Sequence, residues 1–181
     1  MSKAVIAALQ SRFAQAIVAA HDAHGDDTVV LQREALLPAL TFLKTDPAMA
    51  FDMPVDVCGV DYATYQSPRP HAERFEVVYH LRSTTKNHRV RVRVPVPEAD
   101  PVVDSAVPLW RGTSWFEREA FDMFGIRFRG HPDLRRVLLY DEFEGHPLCK
   151  DYPVRGYQPR LEMPRLKGDP LPGRRPVDEE A

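Results

Sequence analysis

Between residues 130 and 151 the sequence gathers the side chains best suited to acid–base or metal chemistry. Gly130-His131-Pro132-Asp133 and Gly145-His146-Pro147 place two histidines near Asp141, Glu142 and Asp151, and Arg135-Arg136 adds two guanidinium groups. One reading is a stand-alone metal-dependent enzyme that uses His131, His146 and the nearby carboxylates. Metal ligands, however, usually come from rigid elements at regular spacing, such as His at i and i+4 of a helix. Each histidine here precedes a proline, which turns it toward an extended backbone within a turn. Histidines in turns mostly serve structure. Arg135 and Arg136 suit carboxylates or backbone carbonyls. They lack the glycine-rich strand-to-helix turn of a phosphate site. Nucleophile elbows, P-loops, dinucleotide fingerprints and CxxC pairs are absent. An iron–sulfur cluster usually needs four thiolates, and the chain has only Cys58 and Cys149. No cofactor and no catalytic residue is therefore expected on this chain.

Charge and hydropathy narrow the field further. A formal net charge of −2 and a pI near 6.4 give no global reason to seek nucleic acid or an anionic membrane. The one basic patch is Arg89, Arg91 and Arg93, joined by Arg82 and His80. An RNA-binding sheet interleaves aromatic residues on such a face, and none stands here, so a solvated or partner-facing surface fits better. The longest apolar candidate, Ala4 to Ala20, is broken by Gln10, Ser11 and Arg12, short of the roughly 18 apolar residues of a membrane helix. The expectation is a soluble, cytoplasmic chain that reaches a membrane only through partners.

The elements that must position these residues are legible in the period of the apolar side chains. Val5, Ile6, Leu9, Phe13, Ile17 and Ala20 recur at three and four, which predicts a helix over 3–22 stopped by Gly25. A strand is expected over 28–32 and a second helix over 34–45, with Leu36, Leu37, Leu40 and Leu43 on one face. Pro38 is tolerable near its first turn. Residues 54–62 read as a strand with a bulge at Gly59. Phe75, Val77, Tyr79 and Leu81 alternate with Glu76, Val78, His80 and Arg82, and Val90, Val92 and Val94 alternate with arginines. With the polar turn Ser83 to Asn87 between them, these two runs predict a β-hairpin. Ser114 followed by Glu117 has the spacing of a capping box for a helix over 115–124, ended by Gly125. The order predicts an α+β fold, a mostly antiparallel sheet with helices on one face.

Three stretches follow: an α+β domain over 1–112, a segment over 113–153 with the short helix and the Gly-His-Pro turns, and a tail over 154–181. The helix packs Trp115, Phe116, Phe121 and Phe124 among four charged residues. That density suits an interface with paired charges, or an internal helix whose charges are solvated. From Pro153 on, 29 residues hold six prolines. Extended, they reach on the order of 95 Å, enough for a strap along another protein; plain disorder is the alternative.

The blocks Glu117-Arg118-Glu119-Ala120-Phe121-Asp122-Met123-Phe124-Gly125, Gly130-His131-Pro132-Asp133-Leu134-Arg135-Arg136, Gly145-His146-Pro147-Leu148 and Lys150-Asp151-Tyr152-Pro153 stand in order over some 40 residues. Together they resemble the signature of the thirty-kilodalton (C) subunit family of respiratory NADH:quinone oxidoreductase, complex I. The family's usual Arg before Lys150 is Cys149 here, which removes one ion-pair or carbonyl contact. The resemblance implies a non-redox subunit of the peripheral arm on the cytoplasmic side of a bacterial inner membrane. It implies the forty-nine-kilodalton (D) subunit and iron–sulfur subunits as neighbours, with FMN, iron–sulfur clusters and quinone held on other subunits. It also implies that the signature residues form the partner interface of a machine that moves electrons from NADH to quinone and translocates protons. A related membrane-bound hydrogenase or F420-linked dehydrogenase is the alternative machine.

Overall fold

The computed structural model describes residues 3–156 and residue 158. All but four residues of the expected 154–181 tail lie outside that range. Ten elements follow in order: α1 (Lys3–Phe13), β1 (Ile17–His21), β2 (Asp27–Leu31), α2 (Leu36–Thr45), β3 (Met53–Asp61), β4 (Phe75–Ser83), β5 (His88–Val96), β6 (Val102–Asp104), α3 (Thr113–Phe124) and β7 (Arg127–Arg129). Five strands form one sheet in the order β1-β2-β5-β4-β3, antiparallel except for the β2–β5 pair. The fold is α+β, as the patterning implies. β6 and β7 pair in parallel and bracket α3.

Alternation along the strands sorts the side chains onto two faces. The row Val29–Val92–Tyr79–Val57 lies on the core face. It joins Val5 and Leu9 of α1, Leu36, Leu40 and Leu43 of α2, and Ala120 of α3 in one buried cluster. The outer face carries the row Thr28–Arg91–His80–Asp56 and the pair of buried Glu76 with half-buried Arg93, 2.6 Å apart.

Three local expectations are corrected. The first helix stops at Phe13, and Ile17–His21 forms an edge strand that pairs with β2. The spacing of Ile17 and Ala20 is helical, and the strand accommodates it through a bulge between Ile17 and Ala19. The β-branched Ile17 and Val18, together with an unfilled edge of β2, decide for the strand. Next, the irregularity in β3 falls between Pro54 and Asp56, while Gly59 pairs regularly with Val77. What Gly59 supplies is room: a Cβ there would stand 2.6 Å from Cδ2 of Phe124. Gly59→Ala is expected to lower the unfolding free energy by about 1–3 kcal/mol, read by urea denaturation; an unchanged midpoint would show that the Phe124 ring gives way freely.

The third correction concerns the start of α3. Gly112 precedes the helix and no side chain caps it. The Ser114 hydroxyl is 3.1 Å from His131 Nε2, and the fully buried Glu117 reaches beyond its own helix. Glu117 accepts the Ser105 hydroxyl (2.6 Å) and the Ala106 N–H (2.7 Å). Its carboxylate thus ties the chain after β6 to the helix.

Burial pushes the Glu117 carboxyl up to about 7, against the opposing bonds from Ser105, Ala106 and Thr113. A carboxyl raised in the folded state binds its proton more tightly there than when unfolded. Its stabilising effect is therefore full below about 4.5 and is lost as pH rises toward 7. Relative to Glu117→Gln, the wild type is expected to lose up to about 3 kcal/mol between pH 5 and pH 8. Denaturant unfolding of both proteins at the two pH values measures this, and a constant difference would count against it.

Candidate functional site

Helix α3 carries Trp115, Arg118 and Asp122 at i, i+3 and i+7, and so on one face. Against that face lies the chain from Gly130 to Pro153, which contains neither helix nor strand. Without ladders its backbone groups must find other partners, and the charged residues of the signature supply many of them. One oxygen of the fully buried Asp122 carboxylate accepts three successive N–H groups, from Val137 (2.9 Å), Leu138 (2.8 Å) and Leu139 (3.0 Å). Its other oxygen accepts Arg136 Nη1 at 2.7 Å. Arg136 then reaches the carbonyls of Phe143 (2.8 Å) and Gly145 (3.2 Å). Arg118 donates to the carbonyls of Arg135 (3.1 Å) and Arg136 (2.9 Å) while its guanidinium lies 4.9 Å from the Trp115 ring. Burial by itself raises the Asp122 carboxyl. The N–H groups of Leu139, Leu138 and Val137, with Arg136, overcome it and hold the carboxyl below its ordinary range.

Both histidines act as turn residues. His131 Nδ1 accepts the Asp133 N–H at 3.0 Å, which leaves Nε2–H to face Ser114. His146 Nδ1 donates to the Asp122 carbonyl at 2.9 Å, and the ring sits over Gly125. That glycine, at φ 77°, ends the helix, and a Cβ on it would meet the His146 ring at 2.8 Å. Its role is thus conformation and clearance together.

A second clamp holds the end of the segment. Buried Asp61, at the end of β3, takes Arg74 through Nε (3.0 Å) and Nη2 (2.9 Å) and also accepts the Lys150 N–H (2.8 Å). Arg74 further pairs with Glu98 (2.5 Å) and Asp151 (2.8 Å). Tyr152 stacks on Phe143 with ring centroids 6.0 Å apart.

Among the described residues, the one convergent group of possible metal ligands is Asp61, Cys149 and Asp151, and it includes neither histidine. Arg74 already occupies the two carboxylates. Burial first, then Asp61, pushes the Cys149 thiol up to about 11, which keeps it protonated and a poor ligand. The same thiol meets the Phe124 carbonyl at 3.5 Å.

The model of the family described as respiratory-chain NADH dehydrogenase, 30 Kd subunit, matches residues 29–158. The chain belongs to this family. The C subunit of NADH-quinone oxidoreductase from Burkholderia multivorans is 45% identical over 150 residues, 82% of this chain and 75% of that one. Its counterpart from Thiobacillus denitrificans is 46% identical over 151 residues, 83% and 76% of the two chains. The solved trypsin-resistant fragment (1–134) of Nqo5 superposes with a TM-score of 0.63 at 40% identity, covering 72% of this chain and 98% of its own. The membrane-bound sulfane sulfur reductase structure, an archaeal respiratory membrane complex, shares the fold at TM-score 0.69 and 16% identity.

In this member of the thirty-kilodalton family, the signature divides by burial. Glu117, Arg118 and Asp122 are buried, and Arg136 is partly so, engaged by its own chain. Phe121 and Phe124 are half-buried against the core. Glu119, Pro132, Asp133, Arg135, Lys150, Asp151 and Pro153 are exposed, Asp133 and Arg135 as an ion pair at 3.0 Å, while Pro147 is half-buried. Arg74, Ser105 and Glu98 escaped the sequence reading. Their partners lie far along the chain, and no local pattern marks them.

Proposed function

We propose that the chain is a non-redox structural subunit of the peripheral arm of NADH:quinone oxidoreductase. In this reading it braces the quinone-reducing module through the forty-nine-kilodalton subunit, with iron–sulfur subunits beside it. FMN, clusters and quinone sit on those other subunits, and the whole machine couples electron transfer from NADH to quinone to proton translocation. The supporting observation is the fate of the signature. Its charged groups hold an irregular segment in one shape, and that shape leaves large apolar groups in water. Trp115 is 64% and Leu138 62% exposed, with Tyr140 and Leu148 also exposed. Apolar and aromatic side chains held rigidly at a surface are what a protein interface needs. Among the described residues no helix is long and apolar enough to cross a membrane; in this reading the chain is peripheral, on the cytoplasmic side, and held there by its partners. The 154–181 tail is a second candidate for partner contact.

The test is a pull-down of the tagged full-length chain from gently solubilised membranes, with partners identified by mass spectrometry. Equal amounts of a subunit of the forty-nine-kilodalton type and of NADH-binding subunits are expected. A nickel hydrogenase-type partner would move the chain to the alternative machine, and a chain that comes down alone would end the assembly reading. Trp115→Ala should recover at least about tenfold less of those partners. Its own stability should fall by less than about 1 kcal/mol, the loss of one exposed cation–π contact.

A further inference from the structure

The outer face of the sheet is laid out in cross-strand rows, and all but one of them balance their charge. Val60–Glu76–Pro95 and Cys58–Val78–Arg93 contribute the Glu76–Arg93 pair. The next row sets Asp56, His80 and Arg91 side by side, with Arg91 also 3.7 Å from Asp26 and 3.1 Å from the Thr28 hydroxyl. The last row is Met53–Arg82–Arg89, in which two arginines stand directly opposite each other and no acid joins them. Like charges so placed destabilise a sheet.

Nothing nearby relieves that pair. Arg82 donates to the Asn87 side-chain oxygen at 3.0 Å, a neutral group. Arg89 is exposed, and its side chain makes no hydrogen bond or ion pair among the described residues. Asp52, close in sequence to Met53, is engaged by the Thr84 N–H at 2.9 Å and by the Thr84 hydroxyl. Lys86, in the turn, is a further exposed cation. Beside the two arginines lie Met53, 46% exposed, and Val55, 45% exposed. A groove of about 470 Å³ runs along these residues and reaches Asp26 and Asp56 at its far side.

Resting on the assembly reading above, we propose that this row docks an extended, carboxylate-bearing segment of another subunit. Its acidic side chain bridges Arg82 and Arg89, and an adjacent aliphatic side chain covers Met53 and Val55. Guanidinium forks match carboxylates in pairs, which explains two arginines rather than lysines here. The apolar neighbours distinguish a protein segment from other anions. The face has no Phe, Tyr or Trp to stack a base, and with Arg91 and Arg93 paired to acids only Arg82, Arg89 and Lys86 are left, fewer than the four to eight clustered cations typical of an anionic lipid surface.

The test uses the tagged full-length chain in gently solubilised membranes. It compares wild type, Arg82→Gln/Arg89→Gln and Arg82→Glu/Arg89→Glu. The reversed pair should recover at least about tenfold less of the other subunits than wild type, with the Gln pair between them. Purified by itself, the Gln variant should melt at or above wild type, because the repulsion is gone. Wild-type recovery by the reversed variant overturns the proposal. So does a loss matched by a large fall in melting temperature, which would assign the arginines to the fold. With a photoreactive methionine analogue at Met53, a crosslink to an Asp- or Glu-bearing segment of another subunit supports the proposal, and a crosslink to lipid or nucleic acid overturns it. If wild type itself recovers no other subunit, the assembly reading fails and the docking row with it. A graded loss across the two variants, with wild-type recovery intact, bears on the row alone.

Discussion

Asp122→Ala is expected to destabilise the chain by about 3–5 kcal/mol, the largest effect of any single signature residue. The substitution strips four donors of a buried carboxylate at once: the N–H groups of Val137, Leu138 and Leu139, and Arg136. Removing one member of a buried ion pair typically costs about 3–5 kcal/mol, because the other is left without compensation. Unpaired buried N–H groups add about 1–3 kcal/mol each where water does not reach them. Some of that penalty is relieved if the segment peels away into solvent, so the loss should be local as well as global. Urea denaturation gives the magnitude. Trypsin gives the place: cleavage after Arg135 and Arg136 should become fast while the sheet stays protected. A variant that loses stability uniformly, with both bonds still resistant, would mean that Asp122 serves the core rather than the latch. Asp122→Asn should fall between, since an amide oxygen can still accept some of the N–H groups but offers Arg136 no charge.

Arg74→Met is expected to cost about 3–4 kcal/mol at neutral pH, by the same logic applied to the second clamp. It leaves Asp61, whose side chain is fully buried, with only the Lys150 and Ala63 N–H groups. The pH dependence separates this account from a packing defect. Burial raises the Asp61 carboxyl, but Arg74, Lys150 and Ala63 outweigh it and hold the group below the usual 3.8. A carboxyl depressed in the folded state stabilises above its unfolded value and loses that contribution as pH falls through the folded one. The gap between wild type and Arg74→Met should thus be widest near pH 7 and should narrow below about pH 4. A gap of the same size at pH 3 would assign the loss to the buried stem of Arg74 instead. Hydrogen exchange at the Lys150 amide offers a local check, because that N–H should lose its protection in the variant.

The parts of the fold that were legible in the sequence are those whose pattern is local. The hairpin of β4 and β5 announces itself by alternation, and its turn falls where the polar run Ser83 to Asn87 places it. Gly125 ends α3 at positive φ, as its position after Phe124 implies. Periodicity misjudged β1, because Ile17 and Ala20 have a helical spacing, and only the bulge between Ile17 and Ala19 returns them to one face of the strand. Ser114 and Glu117 have the spacing of a capping box, yet Glu117 serves Ser105 and Ala106 instead. The motif reports which bonds are within reach, and the buried donors of Ser105 and Ala106 hold the carboxyl that the capping box would aim at Ser114.

By itself the sequence determined the α+β class, the hairpin and the aromatic helix, and the blocks from Glu117 to Pro153 pointed to the thirty-kilodalton subunit family. These follow from side-chain period, from turn chemistry and from residues in fixed order. Only the tertiary structure decided where the signature's charges go. Read along the chain, Glu117, Arg118 and Asp122 look like a solvated or partner-facing face, and Arg136 suits a carboxylate or carbonyls that no local pattern names. In the fold they turn inward to satisfy backbone groups of an irregular segment. Asp61 meets Lys150 across 89 residues of chain. A charge's partner is set by whichever donors or acceptors the folded chain carries to it, and that proximity has no local trace in the sequence.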